Sequence, residues 1–186
     1  TSTGMLDGFA SILPQGADIL ISQESSEYRP EMEWLSEELN GHFSSINFNV
    51  IDAEKYQISD RAVYRFFELF DLENIPSANN LFEAAANNQI DITPPFKPHL
   101  EEKMWSALFH SRPLLNYWSS QIRQNHLKRL SDYFPFSWII DPSPIPHHAE
   151  LPSLGINDWR QLAEFSQKER NLVMKISGFS ELAWGS

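Results

Sequence analysis

The sequence predicts a mixed α/β fold whose front part is a parallel βαβ unit. Residues 17–22 have the composition of a buried strand, and residues 48–52 are predicted to form a second short strand. Between them, Pro30 opens an amphipathic helix that places Met32, Leu35 and Leu39 on one face and ends at Asn40-Gly41. A strand, a helix and a second strand within about 35 residues predict two parallel strands joined by a right-handed crossover.

Further elements continue this front part as far as residue 95. Residues 62–67 form either a third strand or the start of a helix, and the Val, Tyr and Phe content favours a strand. Residues 81–86 read as a short helix with Ser77 as its cap. Residues 90–93 read as a strand that enters the turn at Pro94-Pro95.

The second half is predicted to be helical first and strand-forming later. Residues 98–133 have a helical pattern that breaks at Arg112-Pro113, which gives two helices. Residues 137–141 read as a strand, and a linker with four prolines follows over 142–152. Asn157 or Asp158 caps a helix that runs through Phe165, and Leu172 begins the last strand.

These elements predict three segments. Residues 1–95 form an α/β domain, residues 96–141 a helical pair with a strand, and residues 142–186 a linker, a helix and the start of a further sheet. The proline-rich stretch is the expected hinge.

Composition limits the classes of function. Hydrophobic residues make up 41% of the 186 residues, which is typical of a globular chain. A net charge of -11 without clustered Lys or Arg argues against nucleic acid and anionic membranes as partners. The absence of Cys excludes disulfides and thiol chemistry and fits a cytoplasmic protein, and no apolar run approaches the roughly 20 residues of a membrane span.

The most informative motif lies near the carboxyl end. Lys175 stands in an apolar segment that runs into a loop with Gly178, Ser180 and Gly185. A cation beside small residues is one way to bind phosphate, because glycines let backbone N–H groups approach the oxygens. The order matches neither G-x-x-x-x-G-K-[ST] nor G-x-G-x-x-G. An exposed strand lysine followed by an ordinary turn explains the pattern equally well.

The wider context of this motif resembles the ATP-grasp superfamily. In residues 157–186 a capped helix is followed by Leu-Val-Met-Lys and Ser-Gly-Phe-Ser, in the order in which those enzymes place a strand lysine before a loop that closes over ATP phosphates. Residues 100–108, with Lys103, resemble the helix that carries an earlier lysine, and residues 136–141 resemble the strand after it. Residues 64–72 resemble the glutathionylspermidine-synthase-like branch.

The resemblance implies an ATP- and magnesium-dependent carboxylate–amine ligase. Lys175 and Lys103 would hold the nucleotide phosphates, and backbone N–H groups around Gly178 and Gly185 would clamp them. The chain ends inside this loop at Ser186. We therefore expect a fragment without the magnesium-binding residues, which is inactive alone and holds no nucleotide tightly. The implied substrates are a small carboxylate and an amine, and no catalytic residue is assigned.

Arg65 is the candidate for substrate binding. An arginine within an aromatic segment is costly to bury unless a carboxylate or an anionic ligand meets it. It therefore either clamps a substrate carboxylate, pairs with Glu68 or Asp71, or reaches solvent from the other face of the strand.

No metal site is predicted. His147 and His148 are adjacent in an extended segment, so they point to opposite sides and cannot readily share an ion.

Two further expectations concern binding partners. The alternative to a ligase is a non-catalytic binding or interaction module, in which the Lys175 strand is only the edge of a sheet. An unpaired strand edge left by truncation would also favour dimers.

Overall fold

The computed structural model describes residues 4–140, 154–166, 168 and 171–178. The chain divides into two compact units, Thr1–Glu101 and Glu102–Ser186, and each is described by itself. The predicted linker over 142–152 lies outside the described residues.

The first unit is an α/β domain built on a four-stranded, all-parallel sheet, as the βαβ pattern predicted. The strand order is β2-β1-β3-β4. Its helices and strands are α1 (Gly4–Ile12), β1 (Gly16–Ile21), α2 (Arg29–His42), β2 (Asn47–Asp52), β3 (Val63–Arg65), α3 (Ala78–Ala86) and β4 (Ile92–Thr93). Short 3-10 helices connect them at Ser26–Tyr28, Ala53–Lys55, Leu69–Asn74 and Pro98–Leu100.

The central strand, β1, supplies both apolar cores because every residue in it is buried. Ala17, Ile19 and Ile21 pack with residues of α1 and α2 on one face. Leu20 packs on the other face with residues of α3 and of the segment that follows β2. Alternation along one strand thus produces a three-layer arrangement of helix, sheet and helix.

Gly16 allows β1 to start against its neighbour. Its φ is +82°, and a Cβ there would lie 1.9 Å from the carbonyl oxygen of Asn47. Gly16 pairs with Asn47 at the start of the parallel ladder between β1 and β2. Only glycine combines this backbone conformation with so close an approach.

The strand order creates a switch point between β1 and β3. The chain moves from β1 outward to β2, returns across β1 to β3, and continues in the opposite direction to β4. In open parallel sheets, ligands bind outside the carboxyl ends of the strands where the order reverses. The segments that leave β1 and β3 begin at this edge of the sheet.

The second unit is mainly helical. It contains α4 (Trp105–His110), α5 (Leu115–Gln121) and α6 (Gln124–Tyr133), with 3-10 helices at Arg112–Leu114 and Trp159–Glu164. The predicted break at Arg112-Pro113 is confirmed, and a second break separates α5 from α6. Neither α5 nor α6 contains a buried residue.

The core of the second unit is correspondingly small. Ala107 and Phe109 of α4 are buried, and the ring of Phe109 lies 5.0 Å from that of Phe134. The indole Nε1 of Trp118 donates to the carbonyl oxygen of Leu108 at 3.0 Å. Aromatic contacts therefore account for much of the packing between these helices.

Two strand predictions in the second unit are wrong. Residues 137–140 and 171–177 carry no regular secondary structure. Ile139, Ile140, Val173 and Met174 are exposed, the last two by 73% and 68%. A strand needs a neighbouring strand to satisfy its backbone groups, and the described residues of this unit supply none. Residue 141, the last of the predicted 137–141 strand, lies outside the described residues.

The helix caps were predicted with mixed success. Asp158 caps the 3-10 helix Trp159–Glu164, as predicted, by accepting from the backbone N–H of Arg160 at 2.8 Å. Ser77 stands at the cap position of α3, but its hydroxyl instead donates to the carbonyl oxygen of Ala53 at 3.1 Å. Helix α1 was not predicted.

Candidate functional site

Lys175 lies in an irregular, exposed segment of the second unit and not in a strand. It forms no ion pair with another residue among those that the structure describes. Apolar side chains on both sides of it, Met174 and Ile176, are also exposed. The ammonium group is thus accessible to an anionic ligand.

Two residues beyond Lys175, the chain makes a contact that positions the predicted loop. The hydroxyl of Ser177 donates to Oε2 of Glu102. Gly178 is buried with a φ of +59°, and a Cβ there would lie 2.1 Å from Oε1 of Glu102. Ser177 and Gly178, which we call the anion-binding loop, therefore hold a carboxylate directly against the glycine backbone.

This contact brings together two segments that the sequence singled out separately. Glu102 immediately precedes Lys103, which lies exposed in the turn before α4. Ser177 follows Lys175 by two residues. The turn with Lys103 and the segment with Lys175 thus meet although about 70 residues separate them. Ser180 and Gly185, the other predicted phosphate-binding residues, lie outside the described residues.

Sequence reasoning missed Glu102 and the role of Ser177. Glu102 is one of two consecutive glutamates, and two adjacent acidic residues at the start of a helical pattern are typical of a solvated turn. Nothing local indicates which of them faces a loop so distant in sequence. The adjacency of Ser177 to Gly178 was the available signal, because small polar residues beside glycine often bind oxyanions.

Arg65, the predicted substrate clamp, is buried at the end of β3, with 1% of its side chain exposed. Its Nη2 donates to Oε1 of Glu101 at 2.6 Å, and its Nε donates to the carbonyl oxygen of Pro94 at 3.2 Å. Nη1 donates to the carbonyl oxygen of Phe67. The guanidinium carbon also lies 5.5 Å from the ring centre of Phe67 and 5.6 Å from that of Phe96.

These contacts give Arg65 a structural role. Glu101 also accepts from the backbone N–H of Leu69 at 2.9 Å, so the ion pair ties β3 to the segment that leaves it. A structural carboxylate partner was one of the predicted alternatives, but Glu101 was not among the partners considered. Arg65 as a binder of substrate stays a prediction.

The carboxyl edge of the first sheet carries a second polar cluster. Asp52, at the end of β2, pairs with Arg29 and with Lys55, whose Nζ lies 2.6 Å from Oδ2. The hydrogen bond from Lys55, with the nearby Arg29, holds the pKa of Asp52 below its usual value. The backbone N–H of Gln23 donates to Glu54 at 2.6 Å, which ties the loop after β1 to this edge.

One buried carboxylate in the first unit lacks a full set of partners. Asp71 is 1% exposed, and its Oδ1 accepts from Asn74 Nδ2 at 3.0 Å. Its Oδ2 has no hydrogen-bond partner within the described residues.

An open depression of about 700 Å³ lies at the opposite, amino edge of the sheet and is lined by Arg61, Asp60 and Asp91 among others. Arg61 is bound there by buried Asp18, with Nε and Oδ1 2.8 Å apart, and its Nη2 donates to the carbonyl oxygen of Asn47 at 2.6 Å. Ligands of parallel sheets bind at the carboxyl edge. We therefore do not assign the site to this depression.

The described residues offer neither a cluster of metal ligands nor a membrane-spanning helix. These residues contain no group of three or more His, Asp or Glu side chains arranged to hold a metal ion. Their helices are too short or too polar to cross a bilayer. His147 and His148 lie outside this part of the chain.

Comparisons with protein-family models, curated proteins and solved structures find no match to this chain.

Proposed function

We propose that the second unit binds the phosphates of a nucleotide through Lys175, Lys103 and the anion-binding loop. The whole protein would then be an ATP-dependent carboxylate–amine ligase of the ATP-grasp type. The contact between Glu102 and Ser177 carries this proposal, because it places the turn with Lys103 beside the segment with Lys175.

The chemistry of the contact supports an anion as the ligand. Ser177 supplies a hydroxyl donor, and Gly178 has no Cβ, so an oxyanion reaches its backbone closely. Both lysines are exposed on segments that flank this point. Two lysines on the segments that carry a hydroxyl and a glycine are suited to phosphate oxygens, because positive charge fixed in advance lowers the barrier to phosphoryl transfer.

In the proposed reaction, a carboxylate oxygen attacks the γ-phosphorus of ATP and ADP leaves. The amine nitrogen then attacks the carbonyl carbon of the acyl phosphate, phosphate leaves with the C–O bond electrons, and the nitrogen loses a proton to give the amide. The residues of this chain would bind and orient the phosphates. Magnesium ligands are not assigned to any of the described residues.

The test is an ATP titration of this chain followed by NMR, which detects weak binding. We expect the amide resonances of Ser177 and Gly178 to shift with ATP and magnesium, and Lys175→Ala to weaken binding about tenfold or more through loss of a phosphate contact. Lys103→Ala should weaken it less if that lysine contacts only the outer phosphate oxygens.

Lys128→Ala is the matched control, because Lys128 is exposed on α6 in the same unit and belongs to neither segment. Its affinity for ATP should equal that of the unmodified chain. Equal loss in the Lys128 and Lys175 variants would indicate nonspecific attraction. An unchanged affinity after Lys175→Ala would reject the assignment.

One observation favours the alternative, a non-catalytic interaction module. One short segment exposes four apolar residues, Leu172, Val173, Met174 and Ile176, which is typical of a surface that another polypeptide covers. An interaction module would show no ATP-dependent shift at Ser177 and Gly178.

A further inference from the structure

We propose that Glu102 is an internal ligand of the anion-binding loop and that a phosphate must displace it in order to bind. This inference rests on the proposed function and adds to it a residue that controls occupancy of the site. The position of the Glu102 carboxylate against Ser177 and Gly178 supports this inference, whichever nucleotide binds.

The geometry first shows that Glu102 fills the position that an anion would take. Its Oε2 accepts from the hydroxyl of Ser177. Its Oε1 lies only 2.1 Å from the position that a Cβ on Gly178 would take. The carboxyl carbon would lie 2.9 Å from the same Cβ. The whole carboxylate group therefore packs on Gly178, and a phosphate oxygen cannot occupy this space at the same time.

The negative charge of Glu102 is expected to weaken phosphate binding. Glu102 carries a negative charge to the point where phosphate oxygens would arrive, and like charges a few ångströms apart repel. Among the described residues no Lys, Arg or His forms an ion pair with Glu102. Ser177 alone supplies a hydrogen bond to it in this part of the chain, so the carboxylate is held by one neutral donor.

Displacement is sterically simple. Glu102 lies in an irregular segment before the turn at Lys103, and its side chain is partly exposed. Rotation about its side-chain bonds would carry the carboxylate towards solvent without moving α4. The hydroxyl of Ser177 would then be available to donate to the incoming phosphate.

The test compares Glu102→Ala, which empties the position, with Glu102→Gln, which keeps its shape and removes the charge. ATP is the probe, and affinity is measured on the full chain from the Ser177 and Gly178 resonances. We expect Glu102→Ala to bind ATP about tenfold more tightly than the unmodified chain. Glu102→Gln should fall between the two, because an amide still occupies the loop but no longer repels phosphate.

Glu164→Ala is the control, since it removes an exposed carboxylate from the same unit and changes the net charge equally. It should leave the affinity unchanged. Equal tightening in the Glu164 and Glu102 variants would overturn the proposal, because general charge would then explain the effect. Unchanged or weaker binding in both Glu102 variants would also overturn it.

The Lys175 variants separate this inference from the function on which it rests. If ATP binding depends on Lys175 but the Glu102 variants do not bind more tightly, the function stands and the inference is wrong. If no variant binds ATP, including Glu102→Ala, both are wrong. If only Glu102→Ala binds and the added Lys175→Ala change abolishes that binding, both are supported.

Discussion

At the scale of single residues, Gly16 shows most directly how the absence of a side chain permits the fold. Gly16→Ala would place a Cβ 1.9 Å from a backbone oxygen of β2 and would strain a φ of +82°. We expect the free energy of unfolding to fall by about 2–4 kcal/mol. Gly41→Ala is the control in α2, where no atom lies within 4 Å of the added Cβ, and it should stabilise by up to about 1 kcal/mol. Urea unfolding of both variants tests this, and equal effects would contradict it.

The ion pair of Arg65 with Glu101 makes a second prediction at this scale. Arg65→Met leaves the Glu101 carboxylate without its charged partner in a site where only 11% of that side chain is exposed. We expect a loss of about 3–5 kcal/mol in unfolding free energy. Arg29→Met removes the pair with Asp52, whose members are about a third exposed, and should cost less than about 1 kcal/mol. A substrate-binding role alone would leave the stability of the Arg65 variant unchanged.

Asp52 predicts how stability depends on pH. Its folded pKa is lowered by the hydrogen bond from Lys55 and by Arg29, so its ionised form stabilises the fold above its unfolded pKa. That contribution is lost as the pH falls through the folded value. Asp52→Asn should therefore be less stable than the unmodified chain near about pH 7, and the difference should shrink below about pH 4. A difference that grows on acidification would contradict the lowered pKa.

At the scale of elements, the sequence predicted the first unit much better than the second. Strands β1 and β2 were predictable from their apolar composition and helix α2 from its periodic apolar face, because these residues pack inside a single unit. The strands proposed at 137–141 and from Leu172 have the same local composition but no partner strand in the described residues. Strand composition predicts pairing only where a neighbour exists, and the sequence does not show that neighbour.

The candidate site was only partly predictable, because its central contact joins residues that are distant in sequence. Lys103, Lys175 and Gly178 were recognisable as residue types suited to phosphate. The contact through Glu102 joins segments that are far apart in sequence, and no local pattern encodes it. Arg65 was recognised as an arginine that needs an anion, but its partner was not, because Glu101 lies beyond a turn, a helix and another strand.

The exposed segment from Leu172 to Ile176 makes a prediction about association. Its apolar side chains are accessible, so two chains would reduce the exposed apolar area if each covered this segment of the other. We expect sedimentation velocity to show an s-value that rises with concentration. Val173→Lys with Met174→Lys should abolish the rise, whereas the same charge introduced by Ser120→Lys with Ser131→Lys on α5 and α6 should not. A monomer at every concentration would reject this.

At the scale of the whole molecule, the two units differ in core and in charge. The first unit buries apolar residues on both faces of its sheet, whereas few described apolar residues of the second unit are buried. Most Asp and Glu residues also lie within residues 1–101, and acids and bases are nearly balanced in 102–186. The net negative charge is thus a property of the first unit, and the unit with the proposed phosphate site is nearly neutral.

The larger apolar core of the first unit predicts that this unit folds alone. A chain of residues 1–101 retains Glu101 and both apolar cores, so we expect one cooperative urea transition with an m-value of about 1 kcal/mol/M. A chain of residues 102–186 should show no sharp transition, because its described core is small. Circular dichroism during urea titration measures both. Cooperative unfolding of the second chain alone would contradict this reasoning.

The central claim is that the loop after Lys175 accepts a phosphate in exchange for the carboxylate of Glu102. The most direct measurement is the ATP affinity of four 186-residue chains: unmodified, Lys175→Ala, Glu102→Ala and the double variant. We predict weaker binding without Lys175, tighter binding without Glu102, and loss of that gain in the double variant. Equal affinity in all four chains would contradict the claim.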